Sequence, residues 1–88
     1  MVFNTSIHYV DGDLTIDSLA VNDIIQEVGT PTYIYSLKQA VQNYHQLISA
    51  FGELDIHIHY SAKANSNLAI LRTLANAGAG VDTVSQGE

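Results

Sequence analysis

From residue 32 onward the apolar pattern switches between two periods, and that alternation limits the chain to a small set of folds. Thr32-Tyr33-Ile34-Tyr35 is β-branched and aromatic. Leu37, Ala40, Val41, Tyr44, Leu47, Ile48 and Phe51 then fall on one continuous helical face. Ile56-His57-Ile58-His59-Tyr60-Ser61-Ala62 alternates as a strand does. Leu68, Leu71, Leu74 and Ala75 return to helical spacing, and Gly80-Val81-Asp82-Thr83-Val84 reads as another strand. This order predicts right-handed βαβ units with parallel pairing, hence an α/β fold.

The punctuation agrees. Ser36 with Gln39 three residues on makes a capping-box pattern, Gly52 ends that helix, and Ser66 and Gly78 bracket the next one. Ahead of residue 32, Ile7, Tyr9, Leu14 and Ile16 flank Asp11-Gly12-Asp13, a hairpin signal. Asp17-Ser18 is placed to cap a short helix over about 19–28, with Val21, Ile24, Ile25 and Val28 on one side and Gly29 and Pro31 as its stop. The expected division is a lead-in of hairpin plus short helix over residues 1–31, then incomplete βα units over 32–88. Ser85-Gln86-Gly87-Glu88 reads as the opening of a further helix. A closed (β/α)₈ barrel takes about 250 residues. The 88 residues here therefore hold the first part of one, or a small open α/β piece.

Composition removes several function classes. The chain is 47% hydrophobic and 14% charged, which suits a packed domain and not a disordered one. Three basic residues against nine acidic ones argue against a nucleic-acid backbone as partner, and Lys38, Lys63 and Arg72 form no basic stripe. With no cysteine, disulfides and thiolate chemistry are excluded from this segment. No apolar run approaches the length of a membrane-spanning helix, and no signal sequence is evident at the start, so cytoplasmic residence is expected. Neither GxGxxG nor GxxxxGK[ST] is present, and Gly78-Ala79-Gly80 reads as a helix stop before a strand.

Chemistry points to Lys63. It follows the strand pattern of residues 56–62 at its C-terminal end, where βα barrels carry their catalytic groups. A lysine held there partly out of water can lose its proton and attack a carbonyl to form a Schiff base. The alternative is a solvated lysine at a strand end. Alternation puts Ser61, His59 and His57 on the same side as Lys63, and Ile56, Ile58, Tyr60 and Ala62 toward the helices. His57 and His59 have the spacing of two metal ligands but no local third, so polar strand positions are the simpler reading. Asp82, near the end of the next strand, would neighbour Lys63 in a parallel sheet, or would cap the helix that follows. Glu88 falls in the first turn of that helix, where acidic residues are ordinary dipole partners. Asn65, Ser66 and Asn67 are turn and cap residues.

Three segments carry a resemblance. Gly29-Thr30-Pro31-Thr32-Tyr33-Ile34-Tyr35-Ser36 resembles the lead-in of diaminopimelate decarboxylases. His59-Tyr60-Ser61-Ala62-Lys63-Ala64-Asn65-Ser66-Asn67 resembles their cofactor-lysine motif. Gly78-Ala79-Gly80-Val81-Asp82-Thr83-Val84-Ser85-Gln86-Gly87-Glu88 resembles a third segment of theirs. The order is collinear, and Lys-Ala-Asn-Ser-Asn is similar to the diaminopimelate branch of the fold-type III decarboxylases. The resemblance implies an alanine racemase-like (β/α)₈ barrel that binds pyridoxal 5′-phosphate, with the lead-in belonging to a β-domain. It implies a homodimer with active sites at the interface. Lys63 would be the cofactor lysine, Ser61 would lie against the cofactor, and Asp82 and Glu88 would stand near that lysine. The implied reaction is decarboxylation of meso-2,6-diaminopimelate to L-lysine. Other branches, acting on ornithine, arginine or carboxynorspermidine, and a non-catalytic cofactor-binding fragment are the alternatives. The phosphate loop, the partner of the pyridine nitrogen, the substrate arginines and a dimer-supplied cysteine would all lie beyond residue 88. Ser61-Ala62 stands where Ala-Val is commoner. An 88-residue piece of such a barrel is expected to be neither stable nor active alone.

Overall fold

The computed structural model of the chain describes residues 5–83 together with 86 and 87. It divides into two compact units, residues 1–39 and 40–88.

In the first unit β1 (Ile7–Val10), β2 (Asp13–Ile16) and β3 (Leu19–Ala20) form an antiparallel sheet in that order. Asp11 and Gly12 make the expected turn, with φ of 52° and 87° and Val10 opposite Asp13. Positive φ at both central residues is the type I′ geometry, whose twist matches the strands it joins. The second turn departs from the sequence reading. Asp17 and Ser18 do not cap a helix. They are the centre of another two-residue hairpin, with φ of 50° and 70° and Ile16 opposite Leu19. Aspartate tolerates left-handed backbone because its short carboxylate satisfies local donors.

The short helix α1 (Val21–Val28) consequently starts after β3 and has no side-chain cap. Asp23 in its first turn complements the positive end of the helix. Gly29, at φ 81°, closes it by donating to the Ile25 carbonyl at 2.7 Å. Of its expected inner face Val28 stays exposed, while Val21, Ile24 and Ile25 are half-buried.

Ser36 behaves as expected. Its hydroxyl oxygen accepts from the Gln39 amide at 2.9 Å and caps α2 (Leu37–Ala50). The same hydroxyl donates to both carboxylate oxygens of Asp17, at 2.8 Å each, which is the use Asp17 finds for its charge. Gln39 Oε1 accepts from Ser6 Oγ at 2.9 Å, and Thr15 Oγ1 donates to the His8 carbonyl at 2.8 Å, so the buried hydroxyls of Ser6 and Thr15 are both satisfied.

Residues 32–35, expected as a strand, carry no regular structure. Tyr33 is 87% exposed, and its ring stacks on Tyr35 at 6.4 Å. Propensity for strands reflects fit to a pleated, half-buried surface, and among the described residues these four join no sheet.

The second unit has the expected α/β order. After α2 come β4 (His59–Ser61), α3 (Leu68–Ala77) and β5 (Gly80–Asp82). β4 and β5 pair in parallel, with His59, Tyr60 and Ser61 opposite Gly80, Val81 and Asp82. β4 is shorter than the alternating stretch 56–62, because its ladder can run no further than its short partner. One bond beyond each end extends the pairing: Gly80 N–H to the Ile58 carbonyl at 2.9 Å, and Ala62 N–H to the Asp82 carbonyl at 3.0 Å.

Asn67, not Ser66, caps α3, its side-chain oxygen accepting from the Ala69 amide at 2.9 Å. Gly78, at φ 114°, ends it, with Gly78 N–H on the Ala75 carbonyl and Ala79 N–H on the Leu74 carbonyl, the paired bonds of a Schellman motif. The inner face of α3 is Ile70 and Leu74, while Leu68, expected inside, is 74% exposed. Tyr44 from α2 and Ala62 complete the buried apolar residues among the described residues of this unit. Among the described residues no helix is long and apolar enough to cross a membrane.

Candidate active site

Along residues 56–62 burial follows the expected alternation. Ile56, Ile58 and Tyr60 are half-buried and Ala62 is fully buried, whereas His57 and His59 are exposed. Lys63 itself sits beyond the strand. Ala64 N–H donates to the Ser61 carbonyl at 3.1 Å, closing a tight turn over residues 61–64 with Lys63 as its third residue. Lys63 is exposed, so the partial removal from water expected from the sequence is not supplied by the described residues.

The parallel register brings Ser61 and Asp82 directly opposite each other at the ends of β4 and β5. Ser61 is half-buried and Asp82 exposed. The strand end thus carries a primary amine, a hydroxyl and a carboxylate within a few residues. Glu88 lies outside the described residues.

One feature of this face was missed in the sequence. A methyl group at Gly80 would come within 2.5 Å of His59 Nδ1 and 2.7 Å of Cε1. The imidazole therefore lies directly over the Gly80 backbone. Gly78-Ala79-Gly80 reads as a helix stop, and for Gly78 that is correct, but Gly80 is the seat of His59. Parallel pairing of the two strands follows from the sequence, but the register that sets the ring opposite Gly80 does not. Among the described residues no group of three or more His, Cys, Asp or Glu that could hold a metal ion is gathered.

An aldehyde-bearing cofactor needs an accessible primary amine, a nearby group to exchange protons with it, and polar contacts around it. Lys63 meets the first condition: it is exposed and has no hydrogen bond to another described residue. Asp82 and Ser61 supply the other two types of group. The donor set fits.

β4, α3 and β5 make one parallel βαβ unit, an α/β arrangement with this amine on the turn after its first strand. Residues 36–88 match the model of the pyridoxal-dependent decarboxylase, pyridoxal binding domain, and the chain belongs to that family. Individual relatives are narrower in name. The chain is 40% identical over 78 residues to the diaminopimelate decarboxylase of Vibrio cholerae, a match covering 89% of this chain and 19% of the relative. It is 39% identical to the enzyme of that name from Pseudomonas aeruginosa, over 91% of this chain and 19% of the relative. The Archaeoglobus fulgidus enzyme is 39% identical, over 99% of this chain and again 19% of the relative. The chain thus spans about a fifth of the length of these curated relatives. No solved structure matches it significantly.

Proposed function

We propose that this chain is the N-terminal part of a pyridoxal 5′-phosphate-dependent diaminopimelate decarboxylase, which converts meso-2,6-diaminopimelate to L-lysine and carbon dioxide. The carrying observation is the exposed Lys63 amine on the turn after β4, with Ser61 and Asp82 facing each other across the adjoining ladder. The shared name of the relatives supports the choice of substrate.

In this reading Lys63 holds the cofactor aldehyde, Ser61 lies against the cofactor, and Asp82 and Glu88 stand beside the lysine. Asp82, opposite Ser61 at this strand end, is the carboxylate that would hold the charged amine of Lys63 in place. When bound, pyridoxal phosphate serves as the electron sink for the pair left behind as carbon dioxide departs. The parallel β4–β5 pair is then part of a (β/α)₈ barrel. Residues 1–31 form a lead-in belonging to a β-domain, and residues 32–88 form the first βα units. The working enzyme is a cytoplasmic homodimer.

The test uses the intact protein. It is incubated with pyridoxal 5′-phosphate, reduced with borohydride, digested and mapped by mass. The pyridoxyl group is expected on Lys63 and to be lost in Lys63→Arg, whose guanidinium does not condense with aldehydes at neutral pH. Label confined to other lysines overturns the site. Carbon dioxide release is then compared among meso-diaminopimelate, ornithine and arginine. Release from ornithine or arginine but not from diaminopimelate moves the protein to another branch of the family.

A further inference from the structure

Lys63 is bracketed by ties that none of the catalytic assignments uses. Before it, Ala62 N–H bonds the Asp82 carbonyl at 3.0 Å and fixes the end of the ladder. After it, the phenol of Tyr60 donates to the Asn65 carbonyl at 2.8 Å. Asn65 Oδ1 then accepts from the Asn67 amide at 3.0 Å, and Asn67 Oδ1 from the Ala69 amide at 2.9 Å, which leads into α3. The chain is thus anchored from the strand, around the lysine, to the helix. Tyr60 supplies the side-chain bond across the turn, beside the main-chain bond from Ala64 N–H to the Ser61 carbonyl.

From these bonds we infer that Tyr60 is a positioning residue for Lys63. Its hydroxyl ties the far side of the turn back to β4 and so fixes where the lysine backbone stands. Strand alternation sets Tyr60 on the face opposite Ser61 and His59. It lines an apolar cleft of about 450 Å³ with Tyr44, Leu47 and Leu74, a cleft whose wall His59, Ser61 and Ala64 also reach. Its hydroxyl bonds the turn backbone at the Asn65 carbonyl, so it acts on Lys63 through the main chain. The exposed side chain of Lys63 has four rotatable bonds. What the fold can fix is its starting point, and a neutral hydrogen bond to a turn carbonyl is the size of effect that would do so. Strand alternation alone reads Tyr60 as a packing residue. A hydroxyl reaching five residues ahead leaves no periodic trace.

The inference rests on Lys63 being the cofactor lysine, and the experiment separates the two. Intact protein and its Tyr60→Phe variant, which keeps the ring and loses only the hydroxyl, are exposed to limiting pyridoxal 5′-phosphate. Samples are trapped with borohydride at intervals. Labelling of Lys63 is measured against Lys38, the other lysine of this segment, as internal control. Tyr60→Phe is expected to slow labelling of Lys63 by roughly 2- to 10-fold. Lys38 and the thermal melt should be unchanged, and amide exchange at Ala64 should rise. Equal Lys63 to Lys38 ratios in the two proteins overturn the inference while leaving the cofactor reading intact. A parallel fall at both lysines with a lowered melt makes Tyr60 merely structural and also overturns it. Absence of label from Lys63 in the unaltered protein overturns the cofactor reading, and this one with it.

Discussion

The closest approach at the site is made by a residue with no chemistry of its own. Gly80 is opposite His59 in the ladder, and the imidazole occupies the volume a side chain would need. In a closed core, added methyl groups of this kind cost about 1–3 kcal/mol because neighbours cannot yield. His59 is exposed and joined to the strand by rotatable bonds, so here it can move instead. Gly80→Ala is therefore expected to cost under about 1 kcal/mol and to swing the ring off the backbone. The readout is the His59 ring-proton resonances, which should shift in Gly80→Ala while those of His57 stay put. Unmoved His59 resonances would mean that the ring does not sit on Gly80.

Among the elements, α3 separates what composition announces from what geometry decides. The sequence offers Ser66 and Asn67 as candidate caps, and both are good cap residues. The structure uses Asn67, because Asn65 already ties the Asn67 amide and turns that residue into the helix entry. Asn67→Ala should cost about 1 kcal/mol, and Ser66→Ala should fall within about 0.5 kcal/mol of zero. At the other end Gly78 holds φ 114°, and a methyl group there would also meet Tyr44 Oη at 3.2 Å. Gly78→Ala should cost about 1–2 kcal/mol, which corresponds to roughly 5- to 30-fold faster amide exchange along α3 in the intact protein. Unchanged exchange would show that the Schellman bonds do not hold the helix end.

The same contrast explains how much was legible. The hairpin at Asp11-Gly12, the helix opened by Ser36, the glycine stops and the parallel strand pair all follow from short-range rules. The place of Lys63 just after a strand was legible; its exposure on the turn was not. What was not legible depended on partners distant in sequence. Asp17 and Ser18 joined a third strand that propensity does not advertise. Residues 32–35 found no sheet. Ile70, not Leu68, turned inward on α3. His59 met Gly80 only through a pairing 21 positions away.

At the scale of the whole chain the decisive quantity is buried apolar surface. Residues 1–88 are 47% hydrophobic, yet the buried apolar side chains among the described residues are Ile16, Tyr44, Ala62, Ile70 and Leu74. Tyr33, Leu54, Leu68, Val28 and Leu19 stay more than 60% exposed. β4 and β5 form a two-stranded sheet, and each presents an unpaired edge among the described residues. A two-stranded pair is marginal in water, and an unpaired edge beside exposed apolar surface invites pairing with another copy. A domain of this size buries little enough surface even when complete. Expressed alone, these 88 residues are therefore expected to melt broadly, without a cooperative transition, and to associate as concentration rises. Thermal denaturation together with sedimentation over a concentration series measures both. A sharp two-state melt at a constant monomer mass would mean that the buried set suffices, and that the exposed faces are ordinary surface.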